Sequence, residues 1–307
     1  MQRSPTCTRH GTVQSMQWHT PAHASVYADQ CKPTQPSAYF NSPSRYPFND
    51  HQLRPAMMLA GASFEQVKML IDRGVQSDYS FPRGQVYLLN TSDKARSSRA
   101  FAFEETAREL DGVFPIQILE ADFISDRHDV LGYFTGLPEV TKLDTLGFLP
   151  GALADHLTST GGKLTDSMQM SSLRWLEAGA TASYGAVVEP CSFPQKFPAP
   201  GVALFYYALG ATAIEAYWKS VAWPGQGVFI GEPLAKPFAP MLREISPGKF
   251  ELKFYSPHST RLRVEKSASA AGPFRALPNQ QVVNRGENIF YFRMNNQKDG
   301  YIRLFWH

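Results

Sequence analysis

The sequence predicts an α/β protein: a parallel sheet with helices on both faces at about residues 55–240, then a small antiparallel β unit over 245–307, after an irregular arm over 1–54. Three observations predict it. Between residues 84 and 231 short apolar runs alternate with segments of helical period. After Phe250 the period changes to two, with turn signals between the runs. The first fifty residues, rich in Ser, Thr, Pro, Gln and His, keep neither period.

The first strong element is a helix from Ser63, a good N-cap, with Gln66 placed to complete a capping box. Phe64, Val67, Leu70 and Ile71 share its apolar face, and Gly74 is expected to end it. Strands are read at Val86–Leu89, Ile116–Leu119 and Val130–Phe134, with a helix from about Ser97 to Leu110 between the first two. Then come a strand at Thr145–Leu149, a short helix at Ala152–Thr158 and a helix carrying Met170, Leu173, Trp175 and Leu176. Ala180–Val188 and Gly227–Gly231 read as strands, and Val202–Leu209 and Ala213–Val221 as helices. Right-handed βαβ connections follow. Beyond Phe250, Phe250–Phe254, Leu262–Val264, Ile289–Phe292 and Tyr301–Phe305 alternate like strands of a small sandwich.

Composition narrows the function classes. The 307 residues are 43% hydrophobic, enough for one sizeable core and a second small unit. Net charge is +3, from 30 basic and 27 acidic residues with no basic stripe, which argues against nucleic acid as a partner. No apolar run approaches the roughly 18 residues of a membrane span. Met1–Pro5 builds no apolar h-region, so no signal peptide is read, and export stays open if the start is truncated. Three cysteines make no disulfide framework: Cys7 and Cys31 either pair in an exported chain or stay free thiols.

Ligands of an open parallel sheet bind beyond the C-terminal strand ends. That directs attention to Asp155, His156, Thr158, Glu189, Cys191 and Lys196. A thiolate at Cys191 beside the His156 imidazole, oriented by Asp155, would make a nucleophilic dyad. The plainer reading has His156 bonded locally in a helix N-terminal turn and Cys191 a small buried hydrophobe. A third is a non-catalytic cleft using Glu189, Lys196 and Thr158 to hold a protein or peptide. Asp155 and His156, with only His128 near in sequence, make a thin ligand set, so no metal is expected. No Walker or dinucleotide fingerprint is present and no cofactor is expected.

Four segments, PSAYFNSPSRYPF, GALADHLTSTGG, RWLEAGATASYGAVVEPCSFPQKFP and AYWKSVAWPGQGVFIGEPLAKPF, resemble in order a bacterial family found in species that carry exosortase-type protein-sorting systems. The resemblance runs from about residue 30 to 240 and brings no activity with it. More distantly, Gly132–Pro138 and Phe229–Leu234 resemble motifs of gingipain-like cysteine peptidases, which implies a caspase-like sheet. In that pattern Leu137 stands where the catalytic His belongs, and Ala154–His156 about where the nucleophilic Cys belongs. The resemblance therefore implies a degenerate, non-catalytic peptidase-like module for binding or scaffolding in an envelope or sorting pathway. The alternative is a hydrolase using Cys191 and His156.

Overall fold

In the computed structural model, residues 6–7, 31–277, 281–294 and 300–306 are described. The rest of the arm, including the stretch before Cys31 expected to lack anchors, lies outside them. Among the described residues, 31–239 form one unit, and Thr6–Cys7 with the residues from Pro240 form a second.

In the first unit the strands are β1 Gln85–Leu89, β2 Ile116–Leu119, β3 Val130–Thr135, β4 Phe148–His156, β5 Ala182–Ala186 and β6 Gly227–Gly231. The sheet order is β2-β1-β3-β4-β5-β6, parallel except for β6, which runs antiparallel at one edge. β3 is buried along its whole length, as the centre of a sheet covered on both faces must be. The helices are α1 Pro47–His51, α2 Phe64–Ser77, α3 Phe103–Glu109, α4 Leu173–Ala178, α5 Pro200–Ala208 and α6 Ala213–Ser220.

Alternation along β4 separates the faces. His156 points to α4, where Trp175 bonds its ring. α2 shares that side, since Arg73 donates to the carbonyls of Leu176 and Ala180. Asp155 points the opposite way, to Arg99 just ahead of α3. The Arg99 guanidinium also reaches the Pro198 carbonyl beside α5.

Four local expectations are corrected, the last two in α2. Ala152–Thr158 is not a helix: Phe148–His156 is one nine-residue strand through Pro150. Val130 pairs with Phe148 but Gly132 with Leu153, so extra β4 residues bulge out between those pairs. Pro150 and Gly151, the latter at φ +92°, fall in that bulge, where a missing N–H and a left-handed residue are tolerated. Second, the helix read from Ser97 starts as a 3₁₀ turn at Ala100–Ala102 and becomes α-helical only from Phe103.

Third, Ser63 does cap α2, accepting from the Gln66 amide, but the Gln66 side chain accepts from Ala62 rather than from Ser63. Fourth, Gly74 does not end α2, which continues to Ser77. It is there for space. A Cβ at Gly74 would stand 2.5 Å from Glu232 Cγ. Glu232 is itself buried, and its carboxylate accepts from the amides of Leu234 and Ala235.

The arm from Ser37 to Ser44 is tied to α6. Lys219 Nζ donates to the carbonyls of Ser42 and Ser44, both at 2.6 Å, and lies 4.0 Å from the centre of the buried Tyr39 ring.

The second unit has β7 Met241–Ser246, β8 Lys249–Ser256, β9 Thr260–Ser267, β10 Gln281–Val283, β11 Gly286–Arg293 and β12 Tyr301–Trp306. One antiparallel sheet is β11-β8-β7. In the other, β9 pairs antiparallel with β10 and β12. Leu252 and Phe254 from one sheet share a core with Leu262, Val264, Ile302 and Leu304 from the other, which makes the unit a sandwich. Thr6–Cys7 adds a short parallel strand to β12, so the first residues of the arm are not wholly irregular.

Gly74→Ala tests the close approach of α2. An exposed helix position gains about 1 kcal/mol from this change. Here we expect a loss of about 1–3 kcal/mol, from overpacking against Glu232. Glu232→Ala, which removes every atom in the way, should restore much of the loss in the double variant. Urea unfolding of the three variants measures it, and a Gly74→Ala protein as stable as the parent would contradict it.

Candidate functional site

β1 leads back to β2 on one side, while β3 continues the sheet on the other. The order therefore reverses between β1 and β3, and the crevice of an open parallel sheet belongs beyond their C-terminal ends. Thr91, just past β1, closes it from beneath. Its hydroxyl donates to the Gly136 carbonyl at 2.7 Å and its amide to Ser97 Oγ at 2.8 Å. Gly136 is required here, because a Cβ would run into the Arg96 carbonyl. Arg96 spans the crevice, ion-paired to Asp93 at 2.6 Å and donating to Thr158 Oγ1 at 3.4 Å. Burial works to raise the Asp93 carboxyl, but the Arg96 bonds outweigh it and hold it below the usual carboxylate range. Thr158 is buried, and its hydroxyl donates to Gln169 Oε1 at 2.8 Å.

Asp155 and His156 end β4, paired in register with Phe134 and Thr135 of β3. Neighbours in sequence, they serve opposite faces. His156 is fully buried. Trp175 Nε1–H donates to its Nδ1 at 2.9 Å, so Nδ1 carries no proton and the remaining Nε2–H donates to the Met170 carbonyl at 3.1 Å. Burial drives its pKa down to about 3, with the Arg99 and Arg96 charges adding to the fall and the Met170 bond opposing it. The ring is a neutral structural bridge from β4 to α4 with its basic lone pair already occupied.

On the other face Asp155 is completely buried and ion-paired to Arg99 at 2.6 Å. Burial raises its carboxyl to about 6, with the charge of the Arg99 guanidinium and its hydrogen bond pulling the other way. Arg99 donates also to the carbonyls of Thr135 at 2.7 Å and Pro198 at 2.9 Å. One cation thus binds the ends of β3 and β4 to the segment before α5.

Cys191 is not beside His156 as a thiol. Its sulfur is bonded to Cys31, 160 residues away. Cys31 therefore pairs with Cys191 and not with Cys7. Residues Cys191 and Ser192 both take left-handed backbone, and the Glu189 carboxylate accepts the Cys191 amide at 2.8 Å, shaping the turn. Glu189 is exposed, whereas Lys196 is buried with its ammonium 5.3 Å from the Phe193 ring centre and without a hydrogen-bond partner. Burial lowers the Lys196 pKa, and Glu189 opposes the shift.

Of the six residues singled out in the sequence, then, Asp155 and His156 lie back to back across the sheet, and Thr158 belongs to the crevice. Glu189, Cys191 and Lys196 belong to the loop after β5. Among the described residues no group of three or more His, Cys, Asp and Glu is placed to hold a metal. No helix among them is long and apolar enough to cross a membrane. Sequence reading missed Arg99 and Arg96, which carry the charge of the site. Set against family models, curated proteins and solved structures, the chain matches none.

Removing one half of the buried pair should be severe. Asp155→Ala leaves the Arg99 charge uncompensated and is expected to cost about 3–5 kcal/mol, while Arg99→Met with Asp155→Leu recovers a large part. Urea denaturation decides it, and an Asp155→Ala cost below about 1 kcal/mol would deny the pair its role.

The pH dependence at His156 has a definite sign. Its folded pKa lies below the usual 6.5, so its contribution is complete above that pH and is lost as pH falls toward about 3. His156→Gln should flatten that part of the stability profile. In the parent protein, ¹⁵N NMR should find the Nε2–H tautomer unchanged from pH 8 to about 4. Protonation of this ring near pH 6.5 would refute the assignment.

Proposed function

We propose that this chain is a caspase-like α/β domain with a catalytically silent strand-end site, acting as a binding or scaffolding module in an envelope or protein-sorting pathway. One observation carries the reading: both groups that a dyad would need are already spent. The Cys191 sulfur is in a disulfide, and the His156 lone pair receives the Trp175 N–H. A sheet ordered β2-β1-β3-β4-β5-β6 with a single reversed edge strand is compatible with the caspase-like arrangement. Within it Leu137 and His156 follow or end the neighbouring strands β3 and β4, where the peptidase-like pattern would put its His and Cys.

A disulfide linking two distant parts of the chain is what an exported protein keeps, which supports an envelope location. A hydrolase using Cys191 and His156 would need the disulfide opened and the imidazole released from Trp175, and no observation favours that.

Thiol labelling separates the two. In the oxidised protein, peptide mapping after iodoacetamide should recover Cys31 joined to Cys191 and no label on Cys191. After reduction, labelling of Cys191 should proceed at the rate of an ordinary thiol, and His156→Gln should leave it within about twofold. Fast labelling near neutral pH, slowed tenfold or more by His156→Gln, would move the chain to the hydrolase class.

A further inference from the structure

We infer that a second site, on the Asp155 face of the sheet, is a pocket for one uncharged apolar ring of benzene size. It lies between the segment leading into α5, the turn that starts α3 and the arm around Phe40, with a volume of about 160 Å³. Its walls are mostly apolar: Phe40, Phe101 and Phe197, with Ala199 and Ala222 leaving the room between them, and Gln195 and Ser220 as the uncharged polar residues of the lining. An enclosed engineered cavity of about 150 Å³ lined by apolar side chains accepts benzene, which sets the size of ring that this volume fits. Arg99 is the charged residue of the wall, only 3% exposed and already neutralised by Asp155. A ligand carboxylate would therefore meet no free cation and would lose its hydration for nothing.

The pocket is built rather than collapsible. Phe197 is buried edge-on to Tyr184 at 6.0 Å. The Ala199 amide donates to the Ser220 carbonyl, and the Ser37 amide to that of Ala222, each at 2.8 Å. Phe101, half exposed, forms the open side by which a ring enters. A preformed apolar concavity with walls fixed by backbone bonds is the usual form of a small binding site.

This deepens the binding-module reading, on which it rests only for what presents the ring. The pocket accepts the ring whether or not the strand ends are catalytic. The ring chemistry has two sources, a free small molecule or an aromatic side chain of a peptide, and the probes distinguish them.

The experiment titrates the oxidised full chain with toluene, with benzoate and with N-acetyl-phenylalaninamide, following ¹H–¹⁵N NMR shifts. Toluene should give saturable shifts centred on the amides of Phe101, Ala102, Ala199 and Ala222, and benzoate should bind at least tenfold more weakly. Ala222→Leu and, separately, Ala199→Leu fill the pocket and should each weaken toluene binding at least tenfold, with the rest of the spectrum unchanged. If the phenylalanine amide saturates the same shifts, a peptide presents the ring; if toluene alone does, a free small molecule is the ligand. The inference falls if toluene gives no saturable shift, if benzoate binds as well as toluene, or if both folded variants bind toluene as the parent does. None of these results depends on the reactivity of Cys191, so this inference and the silent-site reading fail separately.

Discussion

The buried ion pair between Arg99 and Asp155 is the constraint on which the rest of the first unit depends. Taking two opposite charges out of water costs several kcal/mol per ion, and their attraction repays that only when hydrogen bonds saturate them. Arg99 meets that condition in part, with three acceptors: Asp155 itself, the Thr135 carbonyl at the end of β3 and the Pro198 carbonyl ahead of α5, while Arg99 Nε and the second Asp155 oxygen have no hydrogen-bond partner. These acceptors come from parts of the chain far apart in sequence, and they coincide only when β3 and β4 are in register and α5 is seated. The pair acts less as a source of stability than as a condition on the fold. An arrangement that shifts β4 by one residue sends Asp155 to the other face and strands both charges.

The same pleat decides what the neighbouring residues can do. On a helix, Asp155 and His156 would sit about a third of a turn apart and could face one cleft. On β4 they point to opposite faces, so the aspartate cannot orient the imidazole, whatever their proximity in sequence. His156 is fixed instead by Trp175 and Met170 on the α4 side. Its low pKa follows from the burial this requires. Strand periodicity alone separates the two groups, before the fate of any cysteine is considered.

Much of the fold was legible because it is written in local apolar pattern. The runs at Val86, Ile116, Val130 and Gly227 are strands, and the helix after Ser63 starts where its cap puts it, whereas the helix before Gly179 begins only at Leu173 and leaves Met170 outside it. The misreadings share one cause: the deciding partner is remote in sequence. Gly74 looks like a stop until Glu232 is seen against it. Pro150 looks like a break until the bulge opposite Val130 absorbs it. Ala152–His156 has helical composition but lies in the sheet interior, where burial overrides propensity. At the site, Asp155, His156 and Thr158 were found because strand ends are where ligands go. Arg99 was not, since its partner is 56 residues away and nothing in Ser97–Ala100 announces it. Cys31 and Cys191 are farther apart still, and no spacing rule favours that pair over Cys7 with Cys31.

The long-range ties also explain why residues 31–46, with no strand or helix of their own, present a defined surface near the strand ends. Lys219 gives two of its protons to arm carbonyls and lies over Tyr39, and burial lowers its pKa to about 8. An ammonium held this way does not need a carboxylate, because two carbonyl dipoles and an aromatic face replace its hydration. The disulfide fixes the start of the same stretch to the loop after β5. Phe40 stands between these two anchors, and Phe197 lies six residues beyond Cys191. The apolar walls of the pocket are thus carried by segments with little regular structure of their own, and their separation is set by a covalent bond at one end and a lysine clamp at the other. Loops positioned in this way can be varied in sequence while the sheet beneath stays constant, which lets one fold carry different sites.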